Sequence, residues 1–167
     1  EAIAGDPVAI VARSYGKALI SSAALSDHLG LQGPGVQAVR FFQNKCAYKS
    51  ILEDAGILVP RRFEASQIAR IKKDIRLIAR PVSGHGKLGI EILETRKERT
   101  RFAGKETEGW LIEELVSGTE VTVLGASHRG NYRTLLLTSK RISQSPPHFA
   151  EIMHRYPALI SSQTKEK

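Results

Sequence analysis

The loop Ser83–Gly89 concentrates residue types that can bind an anion. Glycine lets backbone N–H groups turn toward one point without a Cβ in the way, and such concave arrays bind phosphate. A glycine-rich hairpin without a ligand is at least as common, so the loop alone leaves both interpretations open. Its candidate binding residues are Ser83, Gly84, His85, Gly86, Lys87 and Gly89.

Apolar strands are predicted on both sides of this loop, and they exclude two familiar phosphate motifs. The Walker motif and the dinucleotide fingerprint both need a helix after the loop, whereas residues 90–93 have the composition of a strand. Arg80 closes the preceding strand, directly before Pro81. Its guanidinium could bridge phosphate oxygens, or it could pair at the surface with Asp74 or Glu91.

Two lysines, Lys45 and Lys49, lie in a predicted helix. Residues four apart share one face of a continuous helix, so the two ammonium groups would lie side by side. A solvated helix face is the simpler interpretation of such a pair. Cys46, next to Lys45, has no histidine nearby in sequence that could act as a base, and no nucleophilic triad is evident.

Residues 110–115 form a predicted apolar strand that contains Glu113 and Glu114. A period of two puts Glu113 on the same face as Leu111. A carboxylate on an apolar face needs a partner or a polar ligand. The alternative is an edge strand whose glutamates keep the sheet soluble. A further carboxylate, Glu120, follows the next glycine turn.

The periodicity of the apolar residues predicts helices early in the chain and strands later. This order favours an α+β fold with a mixed sheet over a doubly wound parallel sheet. The predicted helices cover 16–29, 36–54 with a break near Asn44, 66–74 with Ser66 as N-cap, and part of 95–108, and the predicted strands cover 76–80, 89–94, 110–115, 119–127 and 131–142.

The composition is that of a globular protein: of 167 residues, 41% are hydrophobic and 25% are charged. A net charge of +8 favours an anionic partner. The basic residues are scattered, however, and aromatic residues do not interleave with them as single-strand binding requires. The lone cysteine rules out an internal disulfide framework and a cysteine-based metal site, which favours the cytoplasm, and the spacing of the histidines predicts no metal site. No membrane span or signal peptide is predicted.

In their order along the chain, these segments resemble the ATP-grasp superfamily, whose fold holds ATP between two α+β lobes. The resemblance extends over residues 29–160. Its motifs are Asn44-Lys45, Ala55-Gly56-Ile57 with Pro60, Ile78-Ala79-Arg80-Pro81, the glycine-rich loop, and Ile112-Glu113-Glu114-Leu115-Val116 followed by Glu120. Residues 145–158 are similar to a stretch in the carboxylate–amine ligases, including amino-acid ligases and carbamoyl-phosphate-synthetase-like proteins. That similarity makes 148–154 a strand, although their periodicity suggests a helix.

The resemblance implies a role for each motif. Lys45 and Arg80 would approach the α- and β-phosphates of ATP, and the loop Ser83–Gly89 would cover the β- and γ-phosphates. The adenine would be held by Glu113, Glu114, Leu115 and Val116, with Glu114 and Val116 acting largely through backbone groups, and Glu120 would bind the ribose hydroxyls. The implied reaction phosphorylates a carboxylate to an acylphosphate, which an amine then attacks, with Mg²⁺ neutralising phosphate charge. A homodimer is a further possible partner arrangement.

The chain departs from the family pattern at three places. Asn44 replaces an aspartate, and Arg80 replaces a lysine, which keeps the charge but adds a planar fork. The chain also ends before the strands that supply the family's metal ligands. The resemblance therefore implies an ATP-grasp fold that is incomplete at the C-terminal end. The expected organisation is the end of a preceding α/β segment (1–30), a connector with the first helices (31–75), a nucleotide-binding sheet (76–160) and a tail (161–167).

Two other functions stay open from the sequence. The domain could be a non-catalytic nucleotide-binding or interaction module derived from the same fold. It could also be a basic domain that binds nucleic acid, in which case binding would weaken steeply with added salt.

Overall fold

The computed structural model describes residues 5–14, 16–83, 88–143 and 149–161. The chain folds into two compact units, Glu1–Leu115 and Val116–Lys167. The first unit contains α1 (Lys17–His28), α2 (Val36–Gln43), α3 (Lys45–Asp54), a 3₁₀ turn (Ile68–Arg70), β1 (Leu77–Pro81), β2 (Glu91–Leu93), α4 (Arg96–Ala103) and β3 (Trp110–Glu114). The second unit contains β4 (Glu120–His128), β5 (Asn131–Ile142) and β6 (Glu151–Arg155).

The strands form two separate three-stranded sheets, with the orders β2-β1-β3 and β4-β5-β6. Every strand pairing in the described ranges is antiparallel. The expectation of one mixed sheet is therefore wrong. The regular pairing of β3 ends at Glu114, and residues 116–119 belong to no strand before β4 begins.

The core of the first unit lies on one face of its sheet. Leu77 and Ala79 of β1, Leu93 of β2 and Ile112 of β3 alternate onto this face and are at most 3% exposed. Ile68 and Phe102 pack against them from the 3₁₀ turn and α4. The opposite face carries Ile78, Arg80, Leu111 and Glu113, because neighbouring strand residues point to opposite sides.

The sequence pattern breaks between α2 and α3 as expected, at Asn44. Its extended backbone ends α2, and its side-chain oxygen accepts hydrogen bonds from the N–H groups of Cys46 (3.0 Å) and Ala47 (3.1 Å). This N-cap starts α3 at Lys45 and puts Lys45 and Lys49 on one helix face.

In the described ranges, no helix combines the length and the apolar character that crossing a membrane requires.

A buried arginine, Arg99 of α4, connects three segments of the first unit. Only 2% of this residue is exposed. Its guanidinium donates hydrogen bonds to the carbonyl oxygens of Leu93, Ile71, Lys72 and Ile75. Arg99 is therefore a buried structural residue and not part of a solvated basic surface.

The predicted helix over 66–74 is reduced to a single turn in the structure. Only Ile68–Arg70 forms a helical turn, and it is a 3₁₀ turn without a side-chain cap, so Ser66 is not its N-cap. The backbone is extended at Ile71, which ends the turn, and the carbonyl groups of Ile71 and Lys72 accept hydrogen bonds from Arg99. Ile68 lies in the core, and Ile71 packs against it.

Candidate functional site

Three charged side chains from three elements meet on the face of the first sheet that is opposite the core. Glu113 of β3 is 1% exposed and accepts hydrogen bonds from two cations. Lys49 of α3 donates to its Oε1 atom. Arg80 of β1 donates to its Oε2 atom from Nη2 and from Nε, the latter over 3.0 Å. We call Lys49, Arg80 and Glu113 the buried triad.

The strand register explains how the buried triad forms. Ile78 pairs with Glu113 and Arg80 pairs with Leu111 across the β1–β3 ladder. Arg80 and Glu113 are therefore diagonal neighbours on one face, within reach of a long side chain. The expectation that Glu113 needs a partner is confirmed, whereas pairing of Arg80 with Asp74 or Glu91 is not what the structure shows.

Burial makes the triad strongly interdependent. An ionised carboxylate taken out of water loses several kcal/mol of hydration, and it stays ionised only if cations and hydrogen bonds compensate. The ammonium of Lys49, a residue that is 5% exposed, needs a counter-charge for the same reason. Arg80 is different, because 29% of its side chain remains exposed. The triad thus presents one of its cations to solvent and buries the other.

Lys45 holds the end of β1 from the start of α3. Its backbone N–H donates to the carbonyl of Val82 over 3.1 Å. Its Nζ atom donates to the carbonyls of Pro81 (3.0 Å) and Val82 (3.3 Å). Partial burial, with the positive charge of Arg80 as a second cause, lowers the pKa of the Lys45 ammonium. The two cations predicted to bind phosphate are therefore neighbours beside the first residues after β1.

The glycine-rich loop begins directly after this point. Ser83 is exposed, and Gly89 has a φ of +74°, which favours glycine. A Cβ atom at Gly89 would also lie 3.1 Å from the Pro81 side chain. The predicted residues Gly84, His85, Gly86 and Lys87 lie outside the described residues.

The backbone after Glu113 is partly used by the fold. The N–H groups of Glu114 and Leu115 donate to the carbonyls of Arg61 (2.9 Å) and Arg76 (2.8 Å). The Glu114 carboxylate pairs with Arg61 over 2.8 Å. Val116, in the second unit, is 64% exposed. Adenine contacts by these residues stay a prediction, and the amides of Glu114 and Leu115 are not available for them.

Glu120 lies in the second unit, at the start of β4. Its carboxylate pairs with Lys140 of β5 over 3.0 Å, and Lys140 also pairs with Glu151 of β6 over 3.2 Å. Burial lowers the pKa of Lys140, but the hydrogen bonds that its ammonium donates to these two carboxylates, together with their negative charges, outweigh that effect and raise it. The ribose role of Glu120 stays a prediction. The strand predicted from the resemblance over 148–154 is confirmed from Glu151 onward, in β6, and residue 148 lies outside the described residues.

The sequence pattern did not assign Lys49 to the site. Its spacing from Lys45 showed the shared face, and the need of Glu113 for a partner was a second signal. Neither signal shows the depth at which the side chain lies. Depth depends on how α3 packs on the sheet.

The described residues do not fit a magnesium site. Across 5–14, 16–83, 88–143 and 149–161, no group of three or more His, Cys, Asp or Glu side chains is placed to hold a metal ion. We therefore assign no magnesium ligand within these ranges.

Lys45 and Arg80 lie near each other where the glycine-rich loop begins, and comparison with known families identifies the domain. Residues 42–157 match the family model for the ATP-grasp domain. The chain belongs to the ATP-grasp family, and the expected fold is confirmed. No curated protein matches the chain.

Solved structures agree with this assignment. The L-amino acid ligase from Bacillus licheniformis is similar over 90% of this chain and 36% of its own, with 26% identity and a TM-score of 0.71. D-alanyl-alanine synthetase A from Vibrio cholerae is similar over 86% of this chain and 50% of its own (14% identity, TM-score 0.65). The biotin carboxylase domain of the Hydrogenobacter thermophilus 2-oxoglutarate carboxylase, a complex with MgADP, ADP and bicarbonate, is similar over 88% and 36% (20% identity, TM-score 0.67). The chain thus spans about a third to a half of these proteins.

Proposed function

We propose that this domain binds ATP for a ligase that joins a carboxylate to an amine through an acylphosphate. One observation carries the proposal: Lys45 and Arg80 are neighbours at the end of β1, where the glycine-rich loop begins. A backbone carbonyl holds Lys45, and Glu113 holds Arg80. Membership of the ATP-grasp family supports ATP as the ligand. The similarity to an L-amino acid ligase supports an amino acid as the carboxylate.

The chemistry that follows is a phosphoryl transfer and then an acyl transfer. A carboxylate oxygen attacks the γ-phosphorus of ATP, the bond to the β–γ bridging oxygen breaks, and ADP leaves. The amine nitrogen then attacks the acyl carbon of the acylphosphate, phosphate leaves, and the nitrogen loses its proton to solvent. Lys45 and Arg80 would stabilise negative charge on the phosphates and hold them in place.

ATP binding should stabilise the folded domain, because a ligand that binds only the folded state shifts the unfolding equilibrium toward that state. At about 100 times Kd, the stabilisation is ~2.7 kcal/mol, which for a chain of this size raises Tm by about 5–10 °C. The measurement is thermal unfolding with a non-hydrolysable ATP analogue, with and without Mg²⁺.

Arg80→Met is the informative variant in that experiment, and Lys105→Met is its control. Lys105 pairs with Glu91 at the surface, so its loss removes the same charge elsewhere in the first unit. We expect a smaller Tm shift for Arg80→Met and an unchanged one for Lys105→Met. No shift of the natural protein at millimolar nucleotide contradicts ATP binding.

The acylphosphate should be trapped by hydroxylamine. With ATP and an amino acid, a ligase that contains this domain would form a hydroxamate, because hydroxylamine attacks the activated carboxyl in place of the amine. Hydroxamate formation is measured with the whole protein across the amino acids, with ATP omitted as the control. ATP-dependent stabilisation of the whole protein without any hydroxamate would contradict the ligase reaction and favour the non-catalytic nucleotide-binding module.

A further inference from the structure

We propose that Lys49 and Glu113 are positioning residues, which orient Arg80 toward the phosphates without touching the nucleotide themselves. This inference rests on the proposed ATP binding. It assigns Glu113 a different role from the adenine contact that the family resemblance implied.

The contact between Glu113 and Arg80 fixes the guanidinium. Nε and Nη2 both donate to one carboxylate oxygen, Oε2. Two of the three guanidinium nitrogens are thus held by one acceptor, which sets the plane of the group as well as its place. The third nitrogen, Nη1, takes no part in this contact, so the same plane can present it to a second anion.

Lys49 limits Arg80 to one of the two carboxylate oxygens of Glu113. Its ammonium occupies Oε1, the other carboxylate oxygen. Without Lys49, Oε1 becomes available to the guanidinium, and the pair can adopt the two-point fork that arginine and carboxylate favour. That fork would turn Arg80 toward the buried carboxylate and away from solvent.

The burial of Lys49 argues that it acts through Glu113. Only 7% of its side chain is exposed, whereas 29% of the Arg80 side chain is exposed. Lys45 lies one helical turn away and contacts the carbonyls of Pro81 and Val82. Helix α3 thus supplies two lysines with different positions. Lys45 lies beside the predicted phosphate position, and Lys49 is buried against Glu113.

The test compares ATP with adenosine, because an effect through Arg80 must depend on the phosphates. Lys49→Met leaves Glu113 paired with Arg80, so no buried charge is left alone and the fold is retained. We expect an affinity for the ATP analogue that is about tenfold lower, with adenosine affinity within about twofold. Calorimetry measures the analogue and ligand-observed NMR measures adenosine. Lys105→Met again serves as the matched control.

A second pair of variants tests whether the effect passes through Arg80. Lys49→Met/Glu113→Gln removes both buried charges at once, and it should show the same loss for the ATP analogue. Adding the same two changes to Arg80→Met should change the affinity by less than about twofold, because the group that they orient is already gone.

Each outcome decides the proposal. A loss that is equal for ATP and adenosine, or one that is just as large in the Arg80→Met background, overturns the positioning role and leaves ATP binding intact. Absence of nucleotide binding by the natural protein overturns both this role and the proposed function. A phosphate-selective loss that disappears with Arg80 supports the role.

Discussion

Replacing Glu113 by alanine should lower the free energy of unfolding of the first unit by about 3–5 kcal/mol, because it leaves a buried ammonium without its counter-charge. Lys49 is 5% exposed, so it cannot recover hydration without a rearrangement of α3. The truncated side chain also leaves a void in a packed region. The measurement is urea unfolding, with the free energy obtained by linear extrapolation.

The neighbouring residue provides the matched control. Glu114→Ala removes a surface ion pair with Arg61, whose side chain is 62% exposed, and it should cost no more than about 1 kcal/mol. Adding Lys49→Met to Glu113→Ala should restore part of the lost stability, because it removes the uncompensated charge. A loss below about 1 kcal/mol for Glu113→Ala would show that the buried triad does not stabilise the fold.

Replacing Arg99 by methionine should lower the free energy of unfolding by about 3 kcal/mol. Methionine fills much of the space, but it offers no hydrogen-bond donors to the carbonyl groups of Leu93, Ile71, Lys72 and Ile75. A buried acceptor without a donor costs about 1–3 kcal/mol, and relaxation toward water recovers part of the total. The same urea experiment measures this loss.

Arg96→Met is the control within the same helix, because Arg96 is exposed. Its effect should stay within about 0.5 kcal/mol. Arg99→Lys should restore only part of the stability, since one ammonium cannot reproduce the forked geometry of the guanidinium. Equal losses for Arg99→Met and Arg96→Met would contradict the structural role of Arg99.

Local sequence signals predicted the elements that carry the site. Asn44 ends one helix and caps the next because its short side chain can bond to backbone N–H groups. The apolar pattern around Glu113 showed a carboxylate on an apolar face, and the structure supplies its partners. These features depend on neighbours in sequence or on a period of two, which a single chain displays directly.

Features that depend on packing between distant segments could not be predicted in this way. Nothing in the local pattern around Arg99 indicates that its guanidinium bonds to the carbonyls of a segment more than 20 residues away, at Ile71 and Lys72. The predicted helix over 66–74 is a single 3₁₀ turn, because the backbone is extended at Ile71. The periodicity over 148–154 suggested a helix, but residues 151–155 pair with β5, and only the family resemblance indicated a strand.

The chain separations within the buried triad have a consequence for how the first unit folds. Lys49 and Glu113 are 64 residues apart, and Arg80 and Glu113 are 33 residues apart. Contacts between such distant residues pay the entropy of loop closure before they contribute stability, so they form late and slow folding. Helix α3 can form locally, but the oriented guanidinium cannot exist before β1 and β3 are paired. Anion binding that depends on Arg80 would therefore appear in refolding only when β1 and β3 are paired. We expect it to appear later than the increase in helix content.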